Sequence, residues 1–303
     1  METEIWPNLC REAERRNLPL LILNARLSTR AFPRYRRFRS LFGPALAAVD
    51  LIAARSAADA DRFVALGADP ARVRVTGDLK FDLPAPAIAG AEVRRRLGLD
   101  PAATVLVAGS TARAESTPVL GAFAALRAAA PAARLVLAPR HPEDFEDAAA
   151  AVVGAGWRLA RYGAITDRPA GTPAADYDVL LVDRLGVLPE IYAAANLAFV
   201  GGSLVPRGGQ NLLEPAALGV PVLFGPEHHN VRAAADALVA AGGGFVAADA
   251  AALARLVVDL ARDPAGARAM GARARGVVER ERGALNRTLD AAEPILGPPP
   301  GRG

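Results

Sequence analysis

The chain has 303 residues, of which 52% are hydrophobic and 22% charged, so it is long enough for two domains and too apolar for a disordered protein. Its single cysteine, Cys10, excludes a disulfide framework and a cysteine-based metal site. The formal net charge of +4 comes almost wholly from arginine, because Lys80 is the only lysine, and it admits phosphates or a membrane surface as partners without selecting either.

The first part of the chain alternates short apolar runs with helical segments, which is typical of an α/β protein with parallel strands. Strands are predicted at 19–25, 49–54 and 72–77, and helices at 33–47 and 56–67. Three strands are about half of a doubly wound layer, and the motif METEIWPN (1–8) has no strand before it to position it. We expect either that partner strands come from elsewhere or that the natural N-terminus precedes this chain, and we favour the second.

A linker rich in proline and alanine at 83–90 separates this part from a longer one in which the alternation restarts. The second part has predicted strands at 104–110, 133–140, 178–183, 197–203 and 220–225, and helices at 114–129, 142–153, 187–195, 211–218 and after 230. Such an array predicts a complete doubly wound domain. The expected organisation is therefore an incomplete Rossmann-like domain at 1–84, a complete one at 85–296 and a disordered tail at 297–303.

Small or polar residues follow the strands of the second part, where open α/β sheets bind ligands. After the first strand, Ser110 and Thr111 could form an anion site with backbone N–H groups and hydroxyls, or an ordinary helix cap. After the second strand, Pro139 precedes Arg140 and His141, and an arginine at a strand's carboxyl end can bind a phosphate with its forked guanidinium. A surface pair without a ligand is the alternative for Arg140 and His141.

Two further strand ends carry glycine. The turn at 185–187 could present backbone groups to a flat ring, although its side chains favour a plain turn between strand and helix. The stretch GGQNLLEPAALGVPV (208–222) combines glycines with the capping-box spacing of Asn211 and Glu214. A helix N-terminus there favours a phosphate, and a nearby carboxylate can accept from vicinal sugar hydroxyls, so the stretch indicates a nucleotide.

Other nucleotide-binding motifs are missing from the sequence. It contains no GxxxxGK[ST], which excludes a P-loop NTPase, and no GxGxxG in the first part, which weighs against a dehydrogenase. It has no Asp-x-Asp metal clamp, and the acidic group of Asp144, Glu146 and Asp147 fits a solvated helix face. A metal-independent nucleotide-sugar site without a cofactor is the interpretation that fits best.

The chain resembles the 3-deoxy-D-manno-octulosonic acid (Kdo) transferases of lipopolysaccharide synthesis. The similar motifs, in chain order, are METEIWPN (1–8), LNARLSTR (23–30), TGDLKFD (76–82), GST (109–111), PRHPE (139–143), AFVGGSLV (198–205), GGQNLLEPAALGVPV (208–222) and FGPEHHN (224–230). The resemblance implies a GT-B fold of two Rossmann-like domains, CMP-Kdo as donor and the lipid A precursor as acceptor. It also implies inverting transfer at the cytoplasmic face of the inner membrane.

The resemblance implies roles for individual residues. Lys80 and either Glu2 or Glu4 match residues that support the transition state, and the family's general base precedes METEIWPN. The residues that we expect to bind CMP-Kdo are Ser110, Thr111, Pro139, Arg140, His141, Leu185, Gly186, Val187, Gly209, Asn211, Leu212, Leu213 and Glu214. A compact ammonium such as that of Lys80 suits the negative charge that develops on a departing phosphate.

Three departures from the family pattern bear on activity. The expected base is not in this chain, DRLGVL stands where DTxGEL is common, and Gln210 replaces a usual histidine and cannot carry a proton. We therefore expect binding of CMP or CMP-Kdo with poor turnover. The alternatives are another GT-B nucleotide-sugar enzyme, such as a UDP-sugar transferase or epimerase, and a non-catalytic CMP-binding remnant.

The segment 26–39 is rich in arginine. Its six arginines are Arg26, Arg30, Arg34, Arg36, Arg37 and Arg39. They could form a solvated helix face, or they could contact anionic lipid headgroups or lipid A phosphates at the membrane surface. No nucleic-acid-binding motif accompanies them, so nucleic acid is not an expected partner.

Overall fold

The computed structural model describes residues 5–82, 89–167 and 176–297. The chain forms two compact units, of which the first contains Met1–Asp82 and Arg280–Gly303 and the second contains Leu83–Glu279. Most of the predicted linker, and all of the predicted disordered tail except Gly297, lie outside the described residues.

The first unit is a three-stranded parallel sheet with helices packed on it. Its elements are α1 (Pro7–Arg15), β1 (Leu21–Ala25), α2 (Phe32–Arg37), α3 (Arg39–Ala47), β2 (Leu51–Ala54), α4 (Ala57–Leu66), β3 (Val73–Val75) and α14 (Ala284–Leu296). The strands lie in the order β1-β2-β3, which confirms the three predicted strands. Leu27, Ile52 and Phe63 are fully buried in the core of this unit.

The helix predicted at 33–47 is divided in the structure. The backbone of Phe38 leaves the helical region at φ −107° and ψ 32°, so that α2 ends before it and α3 begins after it. Because α3 buries Ala45 and Leu46 while α2 buries no residue, the two segments have different packing requirements that one continuous helix would not meet. Helix α1, which the sequence did not predict, begins with Pro7 in its first turn and buries Cys10.

The last helix, α14, belongs to the first unit and not to the predicted domain 85–296. The Asp82 carboxylate caps it by accepting hydrogen bonds from the N–H groups of Gly283 (2.6 Å) and Leu285 (2.5 Å). Arg287 on the same helix donates from Nε to the carbonyl oxygen of Thr76 at 2.9 Å. The predicted first boundary is close to the observed one at Asp82, whereas the second unit ends earlier than predicted, at Glu279.

The second unit contains a larger parallel sheet. Its elements are α5 (Gly90–Leu97), β4 (Val105–Thr111), α6 (Ser116–Ala129), β5 (Arg134–Pro139), α7 (Phe145–Gly154), β6 (Leu159–Arg161), α8 (Tyr162–Thr166), β7 (Val179–Leu181), α9 (Leu188–Ile191), β8 (Leu197–Val200), α10 (Leu213–Ala217), β9 (Val222–Phe224), α11 (Arg232–Ala240), β10 (Gly244–Val246) and α12 (Ala250–Arg262); α13 (Pro264–Glu281) ends at its boundary. The five predicted strands are present, and β6 and β10 are additional short edge strands.

The strand order β10-β9-β8-β4-β5-β7-β6 places a topological switch point beside β4. Strands β5 to β7 lie on one side of β4 and β8 to β10 on the other, with all pairs parallel. The central strands are apolar except at their ends, because hydrophobic clusters cover both faces of the sheet. Ligands of such sheets bind beyond the carboxyl ends of the strands at the switch point.

No helix in the described ranges is both long enough and apolar enough to cross a lipid bilayer.

Candidate functional site

The carboxyl end of β4 forms the centre of the candidate site. Ser110 and Thr111 lie inside this strand and not at the start of a helix as predicted, since α6 begins only at Ser116. Ser110 has φ 52°, a left-handed conformation that costs free energy for a residue other than glycine. Thr111 is fully buried, and its Oγ1 has no hydrogen-bond partner among the described residues, so this hydroxyl does not face solvent as an anion site would require.

Arg140 follows β5 directly and is held next to β4. Its backbone N–H donates to the carbonyl oxygen of Thr111 at 2.9 Å, while the residue is exposed. Pro139 before it is buried as the last residue of the strand, and His141 after it is exposed. The guanidinium is thus carried on a backbone anchored to β4, as recognition of a phosphate requires.

Glu214 lies near Arg140 on the other side of β4. Burial raises the pKa of the Glu214 carboxyl, against the opposing effects of a hydrogen bond from Asn211 and of the positive charge on Arg140. Asn211 donates from Nδ2 to Glu214 Oε1 at 3.1 Å and accepts from the N–H of Leu213 at Oδ1, also at 3.1 Å. The structure therefore brings Arg140, Asn211 and Glu214 together.

The predicted capping box is wrong, because α10 begins two residues after Asn211. The helix has only five residues, and its N-cap position, Leu212, provides no side-chain cap. Asn211 instead bonds Leu213, two residues along, which is an Asx turn. Glu214 accepts a side-chain amide and not the backbone N–H of the cap. The Glu214 carboxylate is therefore not used up by helix capping.

The loop before α10 contains three consecutive backbone N–H groups that have no acceptor among the residues that the structure describes. Gly209, with φ 80°, donates its own N–H to the carbonyl oxygen of Gly202 at 2.7 Å. Across the described ranges, nothing accepts a hydrogen bond from the N–H groups of Gln210, Asn211 and Leu212. Successive unpaired amides beside glycine suit an anion, so this short run of backbone meets the requirement that the prediction had assigned to a helix N-terminus.

Tyr192 is a candidate site residue that the sequence analysis missed. Its side chain is 1% exposed, and a Cβ atom added to Gly109 would lie 2.0 Å from the tyrosine Oη, so only glycine fits there. Burial raises the pKa of Tyr192 and the negative charge of Glu214 raises it further, which places the phenol near Glu214. Its only signal in the sequence is a tyrosine directly before a run of alanines.

Glu115 is the second residue that was missed. It is fully buried between β4 and α6, and its carboxylate accepts four backbone N–H groups. Oε2 accepts from Ala112 (2.7 Å) and Gly202 (2.7 Å), and Oε1 accepts from Ser203 (3.0 Å) and Leu204 (2.8 Å). The amides of 202–204 are therefore committed to Glu115 and are not open to a phosphate.

The turn after β7 lies at the same edge of the sheet. Gly186 has φ 83°, and Leu185 is 57% exposed, an uncommon exposure for a leucine beside a candidate cleft. Val187 precedes α9, which is shorter than the predicted helix 187–195. Asp183 accepts a hydrogen bond from the N–H of Gly163 at 2.9 Å, so its carboxylate holds the neighbouring edge of the sheet.

Lys80 belongs to the first unit, on a turn after β3. It is exposed, and its backbone N–H donates to Asp78 Oδ1 at 3.1 Å. Asp78 also pairs with Arg55, and the N–H of Leu79 donates to Asn24 Oδ1 at 3.1 Å. The turn is thus fixed to the ends of all three strands of its sheet. Glu2 and Glu4 lie outside the described residues.

Comparison with known proteins identifies relatives over nearly the whole chain. Residues 1–83 match the family model described as 3-deoxy-D-manno-octulosonic-acid transferase. The chain is 38% identical over 304 aligned positions to the 3-deoxy-D-manno-octulosonic acid transferase of Bordetella pertussis, covering 98% of this chain and 68% of that protein. It is 34% identical to the Haemophilus influenzae transferase of the same name, covering 98% of this chain and 69% of that protein.

Two solved structures superpose on this chain. The C-terminal CMP-Kdo binding domain of WaaA from Acinetobacter baumannii superposes with a TM-score of 0.57 at 27% identity, covering 63% of this chain and 96% of that domain. A UDP-GlcNAc 2-epimerase from Neisseria meningitidis superposes with a TM-score of 0.56 at 13% identity, covering 93% of this chain and 72% of that chain. The second likeness shows the fold alone.

Proposed function

Since the chain belongs to the 3-deoxy-D-manno-octulosonic acid (Kdo) transferases, a glycosyltransferase family with the GT-B fold, we propose that it transfers Kdo from CMP-Kdo to the lipid A precursor lipid IVA. The acceptor, the inverting course of the reaction and its independence of metal ions are parts of this proposal. They rest on the family resemblance together with the chemistry of the site.

One observation carries the proposal: a cation, a row of unpaired amides and a partly buried carboxylate meet at the switch point of the second unit. Arg140 and the amides of Gln210, Asn211 and Leu212 suit a phosphate. Glu214, freed from helix capping, suits the two vicinal hydroxyls of a ribose. Phosphate and ribose side by side describe the CMP portion of the donor, and the exposed Leu185 offers an apolar surface to the base.

In the proposed reaction, a general base removes the proton from the acceptor hydroxyl, whose oxygen attacks the anomeric carbon of Kdo. The bond from that carbon to the CMP phosphate oxygen breaks, and CMP leaves with the electron pair. Arg140 and the unpaired amides stabilise the charge on the departing phosphate. The family resemblance assigns support of the transition state to Lys80 and to Glu2 or Glu4.

The first unit provides a surface for an anionic membrane. The arginines of 26–39 are followed by no acidic residue before Asp50, and Arg34, Arg36 and Arg37 on α2 are exposed beside Phe38, which is 52% exposed. Arginine with an exposed aromatic ring suits phosphate headgroups and the membrane interface. This surface supports work at the cytoplasmic face of the inner membrane. Co-sedimentation with anionic vesicles but not with zwitterionic ones would support it, and equal binding to both would contradict it.

Calorimetric titration with CMP and UDP tests the nucleotide. We expect CMP to bind more tightly than UDP, because the proposed donor carries cytidine. Tighter binding of UDP would point to another nucleotide-sugar enzyme and would contradict the proposal. Transfer of Kdo to lipid IVA would then be assayed with the purified chain.

Replacing Glu214 with glutamine should weaken CMP binding by about tenfold, equivalent to about 1.4 kcal/mol, because an ionised acceptor is lost from the ribose hydroxyls. The wild type should prefer CMP to 2′-deoxy-CMP, and Glu214→Gln should lose most of that preference. Glu279→Gln, which removes an exposed carboxylate on α13, is the control. Unchanged CMP affinity in Glu214→Gln would contradict the ribose role.

The same substitution should raise stability at neutral pH. Burial raises the pKa of Glu214, so the folded protein holds this proton more tightly than the unfolded chain does. Ionisation of Glu214 therefore opposes folding, and the resulting loss of stability sets in as the pH rises from the unfolded pKa through the folded pKa. Urea unfolding at pH 7 should show Glu214→Gln to be more stable than the wild type, and the difference should shrink at pH 4.

A further inference from the structure

Glu115 joins two loops that come from neighbouring strands. Ala112 follows β4, whereas Gly202, Ser203 and Leu204 follow β8, and one carboxylate accepts from all four. No described arginine, lysine or histidine forms an ion pair with Glu115. Backbone dipoles therefore compensate its charge, and the loop must keep its shape for the carboxylate to remain satisfied.

The close approach of the two loops requires a glycine at position 201. A Cβ atom at Gly201 would lie 2.4 Å from the Cα of Thr111 and 2.7 Å from Glu115 Oε2. The N–H of Gly201 donates to the carbonyl oxygen of Gly109 at 2.9 Å. The carboxylate thus sits in a space that the glycine leaves for it, and it fastens the loop after β8 to β4.

Ser203 links the loop after β8 to the loop after β9 by hydrogen bonds. Its Oγ donates to the carbonyl oxygen of Val200 (2.6 Å) and accepts from the N–H of Gly225 (2.8 Å). Its carbonyl oxygen accepts from the N–H of Glu227 at 2.9 Å. A bond network centred on Glu115 therefore reaches three strand ends at the edge where the nucleotide is proposed to bind.

The loop after β9 in turn supports the glycine turn before α10. Asn230 donates its N–H to the carbonyl oxygen of Gly208 (2.9 Å) and its Nδ2 to that of Arg207 (3.0 Å). A Cβ atom on Gly208 would lie 2.3 Å from Asn230 Nδ2, so the two segments are in direct contact. A second route is the bond from Gly209 to Gly202, which links the turn to the residues that Glu115 binds. The unpaired amides of 210–212 follow immediately.

From this network we propose that Glu115 is a positioning residue for the nucleotide: by binding the amides of 202–204, it sets the backbone on which the free amides of 210–212 are presented. The inference rests on the proposed function in that it takes a nucleotide as the ligand. Glu115 itself is buried and does not touch the ligand; it acts through the glycine loop.

Glu115→Gln tests this role with little change in size. The glutamine amide nitrogen cannot accept, so two of the four buried N–H groups would face a donor and the loop would shift. We expect CMP to bind at least about tenfold more weakly, measured by calorimetry on the full chain at a temperature where circular dichroism shows it folded. Ser203→Ala removes the two hydroxyl bonds, to Val200 and from Gly225, and leaves the Glu115 carboxylate in place. We expect it to bind CMP about threefold more weakly, and it tests the network if Glu115→Gln fails to fold.

Asp178→Asn is the matched control. Asp178 is a carboxylate of the same unit that is 5% exposed and accepts from Arg127 (2.8 Å) and Arg158, but it lies just before β7, at the opposite edge of the sheet. The Asp178→Asn variant should be less stable than the wild type and should bind CMP with an affinity within about twofold of the wild type. If Asp178→Asn and Glu115→Gln lowered affinity equally, or if Glu115→Gln left affinity unchanged, the proposal would be overturned.

Amide hydrogen exchange separates this inference from the proposed function. In folded Glu115→Gln, we expect faster exchange at 202–204 and a change at 210–212, whereas Asp178→Asn should leave both segments as in the wild type. Acceleration confined to 202–204 would overturn the positioning role. A wild type that binds UDP and not CMP would contradict the proposed donor, and the same variant comparison made with UDP would still decide the role of Glu115.

Discussion

Replacing Arg140 with alanine should weaken CMP binding by about 10- to 100-fold. A hydrogen bond to a charged group contributes about 1.5–3 kcal/mol. Arg140 carries a positive charge that acts on Glu214, and its backbone is bonded to the end of β4. The CMP affinity of Arg140→Lys should lie between those of the wild type and Arg140→Ala, because lysine keeps the charge and loses the forked geometry. The measurement is calorimetric titration at fixed ionic strength, since added salt weakens exposed charge pairs.

Arg134→Ala is the control for Arg140→Ala. Arg134 begins the same strand, β5, and its guanidinium donates to the carbonyl oxygens of Ala132 (3.0 Å) and Ala133 (3.1 Å) at the opposite edge of the sheet. The two variants lose the same charge from opposite ends of β5, so an unspecific effect of net charge would appear in both. Equal affinities for CMP in both variants would rule out a phosphate contact by Arg140.

Gly201→Ala should destabilise the second unit by about 3 kcal/mol. The added methyl would meet the Cα of Thr111 at 2.4 Å, and because that atom is backbone, relief requires β4 and the loop after β8 to move apart. The same movement would strain the bonds to Glu115. Urea unfolding followed by Trp157 fluorescence measures the loss, because Trp157 packs on Phe123 in this unit with ring centroids 4.9 Å apart.

Gly121→Ala should act in the opposite direction. Gly121 lies inside α6, and a Cβ atom added there meets nothing within 4 Å, so alanine should stabilise the helix by about 0.5–1 kcal/mol. Both variants are best studied with Trp6 replaced by phenylalanine, since Trp6 is the only other tryptophan and belongs to the first unit. If Gly201→Ala proved as stable as the wild type, the loops after β4 and β8 would not be in close contact.

The sheet of the second unit could be predicted because its strands are buried on both faces. β4, β5, β8 and β9 are apolar over most of their length, which is the pattern of strands covered on both faces. The small and polar residues after them mark the edge at which we propose that the nucleotide binds. β6 and β10 have three residues each at the sheet edges and leave too short a pattern to recognise. The motifs also identified the family, which the relatives confirm.

The site could be predicted only where its chemistry lies in adjacent residues. Glu115 looks like a solvated carboxylate at a helix start, because three of its four donors lie 87 to 89 positions further along the chain. Asn211 and Glu214 have the spacing of a capping box, yet the Asx turn at Leu213 delays the helix. The roles of the individual residues in binding CMP-Kdo stay predictions.

The bond between Asp82 and the start of α14 has a consequence for synthesis of the chain. The first unit is built from two separated segments of the chain, whereas the second is one continuous segment. During translation, at about 5–20 residues per second, the second unit can fold before α14 has been made. Residues up to 82 must wait, with the sheet of β1 to β3 lacking α14, until that helix has left the ribosome.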